Sequence, residues 1–478
     1  MFPGGLALLT AGCVVGPVAE RPALPAPLPE NFVNASAPSA REPDDATMPR
    51  WWERIEDAAF SAHAALLLSE NLDLREAHER VTQARERLNI QRGDNSPVVS
   101  LEADAARGFT GDGNGGRDYA NNYSADLNVS WTIDLFGRRR RGIEASEATF
   151  LSTAAEHEAL THTLIAELLN RRVAIAVNGR LLALAEQNAA NRALLHDIVQ
   201  RRYRLGADGT ALSDVYLAEE NVSTVQADIP NYRRLLAEDL YRFDLLLGRA
   251  PGVTRMDAAA FPLPVPPSAP PVAVPAALLD RRPDLRASEL RARAATANVG
   301  VAIADLYPQL TLGGSIGVAG DSLDNLFSAE QLAGSLLGGI TQRLFSGGAL
   351  RANVRLQEAA ARELAARYAN DVLDALREVE TALKADAELD RQLAAQTRSL
   401  EALRAAERLS ETRYRSGIIP LQALLDVQQR RYFAEQSWLL TQQLRWTARI
   451  SLHLALGGDW TDTQSGLEPS AAPHVSRN

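Results

Sequence analysis

The sequence predicts an α+β membrane protein: a trimeric twelve-stranded β-barrel, four strands per chain, continued by a long α-helical coiled-coil barrel. Three observations carry this reading. First, a long segment alternates without error. Tyr123, Ala125, Leu127, Val129, Trp131, Ile133 and Leu135 are apolar, and Ser124, Asp126, Asn128, Ser130, Thr132 and Asp134 between them are polar. A period of two places one greasy and one wet face on a strand. Second, two helical patterns run from Gly137 to Tyr203 and from Gly347 to Tyr414. At 1.5 Å per residue each spans roughly 100 Å. Third, the chain is an internal duplication.

The duplication is visible in landmarks that recur in order. Leu72-Asp73-Leu74-Arg75 aligns with Pro283-Asp284-Leu285-Arg286, and Pro97 with Pro308. Leu135-Phe136 aligns with Leu344-Phe345, and Tyr203-Arg204-Leu205-Gly206 with Tyr414-Arg415-Ser416-Gly417. Asp214-Val215 then aligns with Asp426-Val427. The offsets stay within a few residues of one another.

Taken in order, residues 1–12 are small and apolar and lead into Cys13, the chain's one cysteine. They read as a signal peptide, and Cys13 reads as a lipidated N-terminus whose acyl chains would bury CH₂ groups in a bilayer. Residues 13–60 form an anchor and extended arm, rich in Pro and Ala from Pro17 to Pro49. The first repeat spans 61–250: a helix over Leu72–Ile90, a strand hairpin over 98–135, and a helical hairpin over 137–248. A Pro-rich linker covers 251–283, in the equatorial region. The second repeat spans 284–458, with a helix over Leu285–Ile303, strands over 309–344 and a helical hairpin over 347–456. In its strands Leu310, Leu312, Ile316 and Val318 alternate, and Leu332, Leu336 and Ile340 stay in phase. Val372, Leu376, Val379 and Leu383 step like a coiled-coil seam in its helix. Residues 459–478 are a tail.

Composition narrows the function. The net charge of −10 over 478 residues argues against nucleic acid binding through bulk positive charge. A single cysteine excludes a disulfide framework and a CxxC zinc site. No apolar run is long enough for a transmembrane helix, which leaves a β-barrel open. A strand hairpin with one greasy face cannot stand alone in water, and closure in lipid leaves no unpaired edge. Four strands are too few to close, since small barrels need about eight. Three chains supply twelve, and the same symmetry gathers the helical hairpins into a tube around a water-filled lumen.

At this point the chain resembles the TolC-like outer-membrane factor family, in the NodT- and OprM-like lipoprotein subgroup that serves efflux pumps. The resemblance rests on Cys13-Val14-Val15-Gly16-Pro17, Trp51-Trp52, Asn71-Leu72-Asp73-Leu74 and Trp131-Thr132-Ile133-Asp134-Leu135-Phe136-Gly137. It rests also on Tyr203–Gly206, Arg282-Pro283-Asp284-Leu285-Arg286, Asp305-Leu306-Tyr307-Pro308, Leu344–Gly348 and Tyr414–Gly417 with Leu424-Leu425-Asp426-Val427. It implies a homotrimeric passive conduit in the outer membrane of a Gram-negative bacterium, lipid-anchored and extending into the periplasm. Its implied partners are a periplasmic adaptor (membrane fusion) protein and an inner-membrane pump of the resistance-nodulation-division type. No enzyme activity, cofactor or metal is expected, and the cargo would be drugs or other toxic small molecules. A protein-secretion channel is the alternative. A soluble coiled-coil scaffold is a third reading, but it has no use for the alternation at Tyr123–Leu135.

Several motifs have duller explanations. His157 and His162 are five apart, about 140° around a helix, and cannot share a zinc ion as an i, i+4 pair does. The loop Gly111–Gly116 joins two strands, not a strand and a helix, so it reads as an external loop and not a phosphate cradle. Arg138–Arg141 follow a membrane strand and read as a rim anchor to anionic lipid. The breaks Tyr203, Arg204, Leu205, Gly206 and Tyr414, Arg415, Ser416, Gly417 are expected to be the tips of the helical hairpins, where the family docks its adaptor. Asp426, and with it Asp214, would form acidic rings at the aperture by resemblance; Ala423 stands where the family carries a further acid.

Overall fold

The computed structural model describes residues 14–35, 51–53, 55, 57–111, 117–206, 209–255, 261, 270 and 274–457. Helices α1 (Ala58–Glu70) and α2 (Leu72–Gly93) precede strands β1 (Val98–Gly111) and β2 (Arg117–Ile133). Helices α3 (Arg138–Arg204) and α4 (Leu212–Leu246) follow. After the linker come α5 (Leu278–Arg281), α6 (Pro283–Ala304), β3 (Gln309–Gly320), β4 (Leu332–Thr341), α7 (Ala349–Arg415) and α8 (Leu421–Ala455). The duplication extends to element lengths: α3 and α7 have 67 residues each, α4 and α8 have 35, and α2 and α6 have 22.

The chain forms two compact units. The first holds residues up to Ala26 with His78–Glu156 and Asp284–Asp371. Its sheet runs β1-β2-β3-β4, antiparallel throughout. The register brings most of the apolar positions of the four strands onto one face, with Val98 and Leu337 falling on the other. Leu101 lies beside Leu127, Leu127 beside Ile316, Val129 beside Gly314 and Gly314 beside Leu336. On the other face Ser100, Asn128, Ser315 and Ser335 form a row, and the two serine hydroxyls are 2.7 Å apart. A one-residue slip would interchange the faces, so this pattern fixes the register. The apolar face is solvent-exposed in the isolated chain, with Leu336 at 90% and Ile340 at 71%.

β2 stops at Ile133, so Leu135 lies in the turn that follows. Gly137 there has φ +80°, and Asp134 accepts the Arg140 amide at 2.9 Å, satisfying one of the free donors at the start of α3. Of the expected rim anchor only Arg141 is buried; Arg138 and Arg140 stay exposed while making ion pairs. Arg138 pairs with Asp305 at 2.6 Å, Arg140 with Asp134, and Arg141 with Glu144 and the carbonyls of Val15 and Gly16. Arginine forks are spent where fixed carboxylates and carbonyls lie within reach.

The second unit holds Pro27–Ala77, His157–Pro283 and the chain from Val372. Its core gathers Trp51, Phe60, Leu67, Ile165, Leu169, Phe243, Trp446 and Ile450. The same joint is built twice. Asn71 caps α2 by accepting the Leu74 amide at 3.0 Å and donates to Leu246 O at 2.9 Å. Arg282 holds the matching end of α8 through Ala455 O at 3.3 Å. Beside each, a glycine of positive φ closes the helix: a Cβ on Gly248 would lie 2.4 Å from Glu70 O, and one on Gly457 2.9 Å from Arg281 O.

Asp57 starts α1 by accepting the Ala59 and Phe60 amides, each at 3.0 Å. It also takes Arg172 Nη2 at 2.6 Å. Burial works to raise the Asp57 carboxyl, but the Phe60 amide, Arg172 and the Ala59 amide together hold it below the usual value. Burial, then Arg172 and Arg249, hold His63 below its usual value, so it stays neutral.

Candidate functional site

Two surfaces have functional geometry: the polar face of the sheet and the ends of the long helices. Charge is sorted completely between the sheet's faces. The polar face carries Glu102, Asp104, Asp118 and Asp126 and no base among the described strand residues; Glu102 stands opposite Asp126. The apolar face carries Arg107 and Arg117 and no acid among those residues. β1 and β4 each have one partner, so the sheet keeps two open edges. Closure pairs β4 of one protomer with β1 of the next, and the apolar face must then meet lipid. The acidic face lines the lumen.

The tips are built by the ends of α3 and α7 and the starts of α4 and α8. Tyr203 and Arg204 close α3, and Tyr414 and Arg415 close α7. Gly206 has φ +65° and donates to Tyr203 O at 3.0 Å; Gly417 has φ +69° and donates to Tyr414 O at 3.0 Å. The Ile418 amide also reaches Arg413 O at 2.9 Å, which completes a Schellman cap after Ser416. The two tips meet in one small core of Val199, Val215, Ala218, Leu421 and Leu425, with Tyr414 against it. Arg202 lies over the Tyr414 ring at 5.7 Å. A cleft of about 450 Å³ opens between them, lined by Arg202, Thr210, Asp214, Tyr414, Pro420 and Gln422. Leu205 and Ile418 project into solvent, 84% and 69% exposed. Ile418 was not singled out from sequence; its signal is the apolar residue that follows a helix-ending glycine.

Asp214 and Asp426 are not equivalent. α4 starts at Leu212 and α8 at Leu421, so Asp214 is the third residue of its helix and its counterpart is Ala423. The alignment of Asp214-Val215 with Asp426-Val427 is therefore a coincidence of sequence. The physical reason is the connections: residues 205–211 join the first pair of helices, and only 416–420 join the second. Asp214 is half-buried and accepts the Ala211 amide at 2.9 Å, as a helix N-terminus favours. Asp426 is exposed and takes a hydrogen bond from Gln422 at 2.9 Å.

Further up these helices, Tyr432 donates to Asp228 at 3.1 Å and Gln436 to Tyr232 at 2.8 Å. These links tie α8 to α4 on either side of Pro230 and had no signal in spacing. Burial, with Asp228 and Tyr232 nearby, pushes the Tyr432 phenol up and keeps it protonated. His162 packs edge-on against Trp52 at 5.3 Å, and no metal-competent cluster occurs among the described residues. Cys13 and most of the loop Gly111–Gly116 lie outside the described residues.

A membrane channel is the class these features define: lipid-facing strands with open edges, an acidic lumen face, and paired helical tips. The family model for outer membrane efflux proteins matches residues 64–249 and 274–458. The chain belongs to that family. It is 30% identical over 422 residues to the pyoverdine export outer membrane protein OpmQ of Pseudomonas putida, covering 86% of this chain and 88% of that protein. It is 28% identical to the toluene efflux pump outer membrane protein TtgI of Pseudomonas putida, over 96% and 98% of the two chains. Among solved structures it matches the outer-membrane channel OprN with a TM-score of 0.83, 29% identity and coverage of 93% and 99%. The open state of MtrE from Neisseria gonorrhoeae matches with a TM-score of 0.82, 26% identity and coverage of 94% and 98%. The protein is thus a trimeric outer-membrane efflux channel of a Gram-negative bacterium, a β-barrel continued by a helical barrel. It acts with a periplasmic adaptor and an inner-membrane pump and exports small molecules.

Proposed function

We propose that this channel is the exit duct of a pump of the resistance-nodulation-division type, docked at its helical tips, gated by acidic rings and favouring cationic or neutral cargo. The observation that carries the cargo preference is the one-signed polar face of the strands. Four carboxylates per chain become rings on trimerisation, and a lumen of one sign concentrates counter-ions. Relatives are named for pyoverdine, toluene and cation export, so cargo chemistry varies within the family.

Asp426 is the aperture residue we favour, because it is an exposed carboxylate near the tip that the trimer repeats three times. Asp214 contributes at the cleft between the tips. In planar bilayers Asp426→Ala should raise single-channel conductance and weaken block by multivalent cations. The same bilayers under a salt gradient should show cation preference, reduced in Glu102→Gln/Asp126→Asn. Unchanged conductance and block would return Asp426 to an ordinary surface charge, and an unchanged reversal potential would remove the lumen carboxylates from selectivity.

Cys13 is proposed as the lipidated terminus. Val15 donates to Phe136 O at 3.2 Å, which holds the following residues beside the strand–helix junction. Intact-mass analysis of protein from native membranes should show acylation at Cys13. Cys13→Ala should weaken membrane retention and leave conductance unchanged, since the barrel itself spans. A mature chain that retains Met1 and carries no lipid would refute the assignment.

A further inference from the structure

The apolar face of the barrel is neutral along most of its height and carries its only strand charges at one end. Arg107 on β1 and Arg117 on β2 are both exposed, and neither has a carboxylate partner among the described residues. The register sets Phe109 directly across from Tyr119 between them, ring centroids 6.0 Å apart. Arg107 lies over the Tyr119 ring at 5.1 Å, and Arg117 over the Phe109 ring at 4.8 Å. Each guanidinium therefore lies within cation–π range of an aromatic ring, and its N–H groups remain the site's hydrogen-bond donors.

Their height on the barrel follows from the strand. Trp131, on the same face of β2 near its helix-connected end, donates to Asn95 O at 3.0 Å. Tyr119 lies twelve residues along β2 from Trp131. At about 3.3 Å per residue and a tilt of about 40°, that is roughly 30 Å along the membrane normal. Trp131 and the pair Phe109–Tyr119 thus stand where the two aromatic girdles of a membrane barrel stand. The helices continue toward the periplasm, so the arginine end meets the outer leaflet.

We propose that Arg107 and Arg117 bind the phosphate groups of a phosphorylated glycolipid in the outer leaflet. Charge complementarity selects this occupant. Two bidentate donors sit at headgroup level on a face without acids, and the two rings between them cover the glycolipid's sugar and upper acyl carbons. A planar, permanently charged fork matches phosphate oxygens. Each protomer carries one such site, so the trimer gathers a ring of glycolipids around its outer rim.

The test uses the full-length trimer in detergent, titrated with bis-phosphorylated lipid A and followed by native mass spectrometry. Lipid A should bind at one site per protomer, and its dephosphorylated form should bind at least about tenfold more weakly, as expected for losing charge-assisted bonds. Arg107→Gln/Arg117→Gln should lose a similar factor for lipid A and show little further loss for the dephosphorylated form. Conductance in planar bilayers should be unchanged in this variant, which confirms that the barrel is formed. Should the double variant fail to assemble, Arg117→Lys keeps the charge but not the fork, and should bind lipid A more weakly than wild type. Equal affinity in wild type and variant overturns the proposal. So does equal binding of the dephosphorylated lipid, or phosphatidylglycerol competing as well as lipid A.

Discussion

Gly417→Val is expected to abolish efflux in cells that rely on this channel, while trimer and barrel persist. Gly417 has φ +69°, a left-handed conformation that costs a β-branched side chain on the order of 1–3 kcal/mol. No atom surrounds the position, so the penalty is backbone strain and not a clash. The chain escapes it by undoing the cap, releasing the Ile418–Arg413 and Gly417–Tyr414 bonds and displacing Ile418 from the tip. An adaptor that reads the tip then loses its surface. Drug accumulation should rise to the level of a channel-deletion strain, and cross-linking to the adaptor should fall at least about tenfold, which corresponds to about 1.4 kcal/mol. Gly206→Val should behave alike, since its φ is +65°. Full transport by a Gly417→Val trimer would show that docking does not depend on the tip.

The second large effect is on stability. Arg172 is fully buried, bonded twice to Asp57, 3.3 Å from His63 Nδ1 and 5.4 Å from the centre of the Phe261 ring. Arg172→Met leaves the Asp57 charge in a site 10% exposed, without its cation. Breaking a buried pair by removing one partner costs about 3–5 kcal/mol. The thermal unfolding of the helical unit should drop sharply, and Asp57→Asn added to Arg172→Met should restore part of it. No change in melting would mean that water replaces the arginine. The same network sets an acid response. His63 lies below its unfolded value of 6.5, so the unfolded chain takes the proton first and stability falls as pH drops past that value. Asp57 lies below its unfolded value of 3.8; its contribution is complete above that pH and is lost as pH falls through the folded value. Both slopes have the same sign, and His63→Gln should remove the upper one.

Periodicity made the strands and long helices legible, because a barrel strand and a coiled helix each expose a repeating face to a different medium. Tyr123–Ile133 could be read residue by residue, and the register places its apolar set beside those of β1 and β3. Duplication added the helical hairpins. The sequence could not show what depends on distant contacts of single side chains. The partners of Arg138 and Arg141 required knowing that Asp305 and the Val15 carbonyl lie within reach. The pairing of Asp214 with Ala423, not Asp426, required the true starts of α4 and α8, which two connections of unequal length obscure. Asp57–Arg172 and Tyr432–Asp228 are separated by 115 and 204 positions and belong to no local pattern.

The two open edges of the four-stranded sheet have a consequence for how the protein reaches the membrane. β1 offers fourteen residues and β4 ten, each with unspent donors and acceptors that no hydrocarbon can satisfy. A lone chain is therefore not a small version of the pore but an insertion-incompetent species that is also adhesive. Insertion must wait for three chains to meet, so at low synthesis rates the yield of pores should climb far more steeply than the yield of polypeptide. A cell short of this protein would lose most of its pores while still holding many of its chains, and the stranded chains would be the ones its periplasmic proteases find.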